Sequence, residues 1–284
     1  MRLNAFIANG QGPQLVKKCF GGADVAGDLA IFVINLDRSA DRRRMMQARL
    51  ATAGLVAQFF PAVDGRVLRR DSMDDLEKAS GLSDGEVGCY LSHLSVWRAI
   101  SESRVARALV LEDDVRLDPA LNAILADLAS PPCNEIDLIR LSCSQKAVGK
   151  TLMKLSSHRS LLLPTKNPSS AMAYVVTMRG AKRLLNALSR PFIPIDTAID
   201  RCWQQGIRSA LVAPPVVCHD DDFQSIITPT GRSNVSSSRR LPTRLARSLK
   251  KHATLASDFA ALTGAGWLSY WLTETVSVPS RSGF

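Results

Sequence analysis

Leu109-Val110-Leu111-Glu112-Asp113-Asp114 is the segment of this chain whose residue types point most directly to chemistry. Three consecutive carboxylates close an apolar run. Charges of one sign held this near one another repel, and withdrawing them from water costs more unless a cation or hydrogen-bond donors compensate. A hard divalent ion with oxygen ligands is the natural compensation: Mg2+ or Mn2+ takes one or two carboxylates and fills its other positions with water and phosphate oxygens. The same acids could instead open a solvated loop, and the segment alone leaves both readings standing. His219-Asp220-Asp221-Asp222 poses a similar choice, with His219 completing a metal site or the cluster only solvating a loop. Carboxylates elsewhere in the chain could supply a general base. Asp196 and Asp200, four residues apart, share one side of a helix. Asp196 reads equally well as the cap after Pro194. Asp200 sits mid-helix, where Asp is a poor helix former, so it is either functional or half of an exposed ion pair.

The elements that must hold these groups follow from the apolar pattern. Ala30 to Leu36 is a β-branched run expected as a strand buried on both faces, followed by a helix from Arg38 to Ala53, with Ser39 as cap and Gly54 as stop. Residues 58–63 form a second strand, ended by Asp64-Gly65. Ser83 and Glu86 match a capping box, opening a helix that runs to about Ser103. On it Val87, Tyr90, Leu91 and Leu94 make one stripe, and Cys89, His93 and Trp97 a neighbouring one. Further strands are expected at 108–111, 136–141, 171–177 and 209–217, and helices at 179–189 and from about Asp196 to Gln205. Strands of this kind alternating with helices predict an α/β fold, a mainly parallel sheet covered on both faces. In such sheets ligands bind beyond the carboxyl ends of the strands. That draws Asn35, Arg38 and Arg43 toward a ligand, since a guanidinium offers a bidentate fork to an anionic group. Three adjacent arginines at 42–44 cannot all face a ligand. Asp64 reads as a turn former or as part of the same site, and His93 as a partner for a nucleotide or sugar or as a pin between helix and sheet. Residues 143–170, polar and with little pattern, are expected to be a loop region.

The 284 residues carry 46% apolar and 22% charged side chains and a net charge of +10, values that argue against wholesale disorder. No apolar run approaches the ~18 residues of a membrane span. The N-terminus has no sustained apolar core of the secretory kind, and the six cysteines form no CxxC pair, so they read as reduced cytoplasmic thiols. From Arg232 to Phe284 there are eight basic and two acidic residues, so six of the ten net charges sit in the last fifth of the chain. Residues 241–271 mix LPTRLARSLKK with Trp267, Tyr270 and Trp271, a combination suited to a peripheral helix on anionic lipid, or to a helix packed on the domain with its charges outward. This distribution favours a membrane surface over a nucleic-acid groove. The chain is thus expected to divide into a leader (1–29), a catalytic domain (30–231) and a basic linker with an amphipathic helical tail (232–284).

The pieces INLDRSADRR (34–43), AVDGR (62–66), GEVGCYLSHLSVWR (85–98), ALVLEDDV (108–115), AYVVTMRGAKRLL (173–185) and PIDTAID (194–200) resemble, in order and spacing, glycosyltransferase family 25. These are bacterial lipopolysaccharide (lipooligosaccharide) glycosyltransferases, many of them β-galactosyltransferases. The resemblance implies a GT-A type, Rossmann-like fold, a nucleotide-sugar donor, an acidic metal motif of the DXD kind and inversion at the anomeric carbon. In that frame Asp114 is the direct ligand of Mn2+ or Mg2+, with Glu112 as a further ligand; His219 is a candidate ligand from its place after the last strand and not from the resemblance. Asn35, Arg38, Arg43, Asp64, His93, Glu112 and Asp113 bind the donor, and Asp196 or Asp200 is the base. The expected activity is transfer of a hexose, galactose by the resemblance, from a UDP-sugar to a lipid-linked glycan at the cytoplasmic face of the inner membrane. The competing reading is a non-catalytic basic protein that binds membrane or nucleic acid.

Overall fold

A computed structural model describes residues 29–68, 81–166, 168–220 and 241–279. The first strand, β1 (Leu29–Asn35), is followed by α1 (Ala40–Thr52), β2 (Gln58–Pro61), a 3-10 turn at Gly65–Val67, and α2 (Asp84–Glu102). Next come β3 (Arg107–Glu112), β4 (Val115–Leu117), α3 (Leu121–Asp127), β5 (Leu138–Arg140), β6 (Ala147–Leu155), β7 (Arg159–Pro164) and β8 (Ala173–Thr177). The chain continues through α4 (Met178–Ala187), α5 (Ile195–Asp200), β9 (Ser209–Ala213), β10 (Val217–His219), α6 (Leu241–Thr263), α7 (Ser269–Leu272) and β11 (Thr275–Val278).

Nine strands form one sheet in the order β11-β6-β7-β9-β5-β8-β3-β1-β2, and β4 pairs with β10 in a separate ribbon. β1 is parallel to both β2 and β3, while β8 enters antiparallel between β3 and β5. Following the pairings across, only β8, β7 and β11 run against the other six. The sheet is therefore mixed with one dominant direction, the expected α/β architecture. Period-two alternation sorts its side chains into two cores. Phe32, Ile34, Val110, Tyr174 and Val176 pack under α2, α4 and α5. Ile31, Val33, Leu109, Leu111, Val175 and Val212 pack under α1 and α3 with Met46, Leu50, Leu121 and Ile124.

Several local expectations are met in detail. Ser83 and Glu86 form the reciprocal capping box that starts α2. Gly54 takes φ +65° just beyond α1, a left-handed conformation that suits a residue without Cβ. Others are corrected. Ser39 precedes α1, but its side chain accepts no capping hydrogen bond from the described residues. The expected strand 209–217 is two strands, because Pro214 and Pro215 lack the amides a ladder needs. The loop expected over 143–170 holds the β6–β7 hairpin, whose register shifts between Thr151 and Met153. Of the two readings of the tail, packing on the domain holds for the apolar stripe of α6, which buries Leu255, Ala256, Phe259 and Leu262, and β11 pairs antiparallel with β6. The leader up to residue 28, the linker at 231–240, Asp221 and Asp222 lie outside the described residues. Among those described, no helix is long and apolar enough to cross a membrane.

Candidate active site

The parallel strands β1, β2 and β3 end on the same edge of the sheet, and their last residues and following turns bring together Asn35, Asp64 and Glu112-Asp113-Asp114. The alternation that buries β3 also splits the triplet. Glu112 follows the phase of Val110 and faces α2, where His93 Nε2 and Cys89 Sγ lie 3.5 and 4.0 Å from its Oε1. Asp113 and Asp114 turn out of the strand toward α1. There Arg42 Nη1 stands 3.0 Å from Asp113 Oδ1 and 3.0 Å from Asp114 Oδ2, and Asn35 Nδ2 donates to Asp113 Oδ2 at 2.7 Å. The β4–β10 ribbon pairs His219 with Val115, which puts His219 Nε2 3.7 Å from Asp114 Oδ2.

One guanidinium is thus shared between two buried acids, and the compensation is incomplete. Asp114 Oδ1 and Asn35 Oδ1 are buried and, among the described residues, accept no hydrogen bond. Burial pushes the Asp113 carboxyl up, opposed by Asn35 and Arg42. It pushes Asp114 to about 6, helped by the neighbouring charge of Glu112 and opposed by Arg42. A buried acid short of partners is what a bound cation would relieve, and two orphaned oxygens beside carboxylates are the donor set a hard divalent ion prefers. The residues present therefore fit a Mg2+ or Mn2+ ion.

The structure rearranges several expected roles. Arg42, not Arg43, reaches the acids; Arg43 lies over the Phe59 ring, 4.5 Å from its centroid. The signal was present in the sequence, since Arg42, Met46 and Leu50 recur four apart as the inward face of α1. Arg38 pairs with Asp64, which also caps the turn at Gly65–Val67 by accepting from Arg66 N. Burial works against the Asp64 charge, but the Arg66 amide and the Arg38 guanidinium hold its carboxyl below the ordinary value. His93 is 1% exposed with both ring nitrogens engaged, so it touches Glu112 and is not open for a nucleotide to stack on. Asp200 is corrected as a base. Its carboxylate is buried against Arg140 at 2.7 Å and accepts from Ser169 Oγ at 3.2 Å, so it anchors α5 to β5. Asp196, one turn earlier, is half-buried and accepts from the Thr197 amide at 2.6 Å; its charge helps to raise the Cys89 thiol, after burial and Glu112. Asp220 is fully buried between Arg49 and Arg116, a structural acid beside His219.

Two glycines set how closely the site's walls approach. A Cβ on Gly88 would lie 2.6 Å from Val63 O, and one on Gly65 would overlap the Asp84 carbonyl. The start of α2 therefore presses backbone to backbone on the turn that carries Asp64, which accounts for Gly65 of AVDGR and Gly88 of GEVGC.

Residues 28–199 match the family model described as glycosyltransferase family 25 (LPS biosynthesis protein). The chain is also similar to procollagen galactosyltransferase 2 of Homo sapiens, 30% identical over 193 residues, covering 61% of this chain and 30% of that protein. A glycosyltransferase 25 family member of Aedes aegypti is 30% identical over 190 residues, covering 62% of this chain and 31% of its own length. Procollagen galactosyltransferase 1 of Danio rerio is 29% identical over 188 residues, covering 61% and 31%. The chain spans less than a third of the length of these relatives.

Proposed function

This chain belongs to glycosyltransferase family 25, and from that premise we propose that it transfers a hexose, galactose, from a UDP-sugar to a glycan acceptor of the lipopolysaccharide type, with Mn2+ or Mg2+ at the acidic triplet. The observation that carries the reading is the pair of buried, unpartnered oxygens, Asp114 Oδ1 and Asn35 Oδ1, beside three carboxylates at the carboxyl ends of parallel strands. Galactose is suggested by the names of the relatives, and the acceptor class by the family description.

Asp114, Glu112 and the Asn35 carbonyl would hold the ion, with His219 at its edge. When bound, the ion supplies positive charge to the departing diphosphate. Arg42 keeps Asp113 and Asp114 together despite their repulsion, so both carboxylates are in place before a donor arrives. Arg38, a third exposed and held beside Asp64, offers a guanidinium to the donor phosphates. Asp196 accepts the proton of the attacking acceptor hydroxyl, and with Asp200 locked by Arg140 it is the carboxylate of α5 left for that task. The acceptor reading is supported by the surface of the C-terminal segment. Trp267, Leu268, Trp271 and Leu272 are exposed on and before α7, next to the basic α6, an arrangement suited to an anionic membrane that carries a lipid-linked glycan.

The test is a UDP titration followed by thermal unfolding with and without Mn2+. A ligand that binds only the native state raises the midpoint. A UDP-dependent rise that needs the cation supports the reading, and no rise in either condition overturns it. A screen of UDP-sugar hydrolysis then identifies the sugar.

A further inference from the structure

Behind Glu112 lies a line of polar groups that the proposed chemistry does not use. Trp97 Nε1 donates to the Tyr174 hydroxyl oxygen at 2.9 Å, and the same hydroxyl lies 2.8 Å from His93 Nδ1. The three rings are in contact, with centroids 5.7 to 6.5 Å apart, and none is more than 1% exposed. Two come from one face of α2, His93 and Trp97 being four apart, and the third from β8, which pairs directly with β3. Three aromatic residues with polar edges in a core are expensive unless those edges are paired.

The direction of each bond can be worked out. An indole N–H only donates, so the Tyr174 oxygen accepts from Trp97. The Tyr174 hydrogen must go elsewhere, and the polar atom within reach is His93 Nδ1. That makes Nδ1 the acceptor and places the imidazole hydrogen on Nε2, which faces Glu112 Oε1 from 3.5 Å. We propose that Tyr174 and Trp97 are positioning residues that fix the Nε2–H tautomer of His93, so that His93 is a hydrogen-bond donor that orients the first carboxylate of the triplet. The inference rests on the reading of Glu112 as part of the donor and cation site. It also decides between two uses of the cluster Cys89, His93 and Glu112, whose ligand atoms all lie within 4.8 Å of one another. A soft metal there would need the Nε2 lone pair, which this tautomer has given to a hydrogen.

The test is 15N NMR of the histidine rings in the full chain, with His93 assigned by its loss in His93→Gln. The expected wild-type signature is a protonated Nε2 and a hydrogen-bonded, unprotonated Nδ1. Tyr174→Phe, checked for folding by its thermal midpoint, should release the ring into both tautomers and weaken Mn2+-dependent UDP binding by about 10-fold, the scale of losing an outer-shell partner. His93→Gln, which keeps an N–H near Nε2, should retain more of that binding than His93→Leu. A merely structural histidine would not produce this rescue. A wild-type spectrum with hydrogen on Nδ1 overturns the proposal. So does a thiolate-to-cobalt absorption band, absent in Cys89→Ser, when Co2+ alone is added. If the wild type binds no UDP at all, the reading of the donor site fails, and the spectrum still decides the tautomer.

Discussion

The two edges of the sheet treat buried acid in opposite ways. At the edge before β5, Asp137 is fully buried and completely paired: Arg179 Nε donates to one oxygen at 3.0 Å, and Arg183 Nη1 and the Arg208 amide to the other at 2.8 and 3.1 Å. Gly180 lets the start of α4 close over it, since a Cβ there would lie 2.2 Å from Asp137 O. At the edge after β3, Asp113 and Asp114 share one guanidinium, and Asp114 keeps an oxygen with no partner. Full pairing makes a joint between elements, whereas incomplete pairing stores a demand for positive charge that a ligand can meet. The contrast separates structural from functional acids better than burial does, because both sets are buried.

The contrast is broken most severely by exchanging the outcomes. Asp114→Asn should lower turnover by about 10²- to 10³-fold, the scale of losing one key electrostatic contact, with no loss of thermal stability. Asp137→Ala should do the reverse. It strands three donors and should lower unfolding free energy by about 3–5 kcal/mol in denaturant titrations, leaving turnover per folded molecule intact. An Asp114→Asn protein that transfers sugar at the normal rate, or one that unfolds like Asp137→Ala, ends the distinction. Within α5 the same logic applies on a smaller scale. Asp196→Asn should reduce kcat about 10²-fold with an unchanged midpoint, and Asp200→Asn should act mainly on stability through Arg140.

The pH dependence sharpens the contrast. The Asp114 carboxyl is held up at about 6 against an ordinary 3.8, by burial first and Glu112 second. Between those values the folded chain keeps a proton that the unfolded chain has released. The stability this group contributes is therefore fully present below pH 3.8 and lost as pH rises through 6. A cation that binds the ionised carboxylate offsets that loss. The rise in thermal midpoint caused by Mn2+ should grow with pH up to and past 6, and Asp114→Asn should flatten it. A rise that shrinks with pH would contradict the assignment. The smallest effect lies away from both edges: Ser83→Ala removes the α2 cap and should lower unfolding free energy by about 1 kcal/mol in the same titrations, with no change in UDP affinity.

What could be read in the sequence was local. β1 and β3 announce themselves as apolar runs, the α2 start as Ser83 and Glu86, and the triplet as acids where a buried strand stops. What could not be read depends on partners far along the chain. Arg42 was hidden among three arginines, and only the four-residue recurrence it shares with Met46 and Leu50 marks it as the one that turns inward. Asp200 looked catalytic because Arg140 lies 60 residues away in sequence. β6 escaped notice because the shift between Thr151 and Met153 breaks the alternation that marks a strand. The basic amphipathic pattern of α6 is the same whether its apolar stripe meets lipid or protein, and Leu255, Phe259 and Leu262 meet protein.

The pairing of β11 with β6 also bears on how molecules of this protein treat one another. Thr275–Val278 shields only the Ala147–Lys150 stretch of the nine-residue β6, through four residues that are themselves half-exposed or exposed. Peeling that short cover away would bare amides and carbonyls in an extended row, an invitation to a foreign strand. Damage to this corner should first show itself as clumping in a concentrated solution, while the proposed donor site, at the other end of the strand order, is left in place.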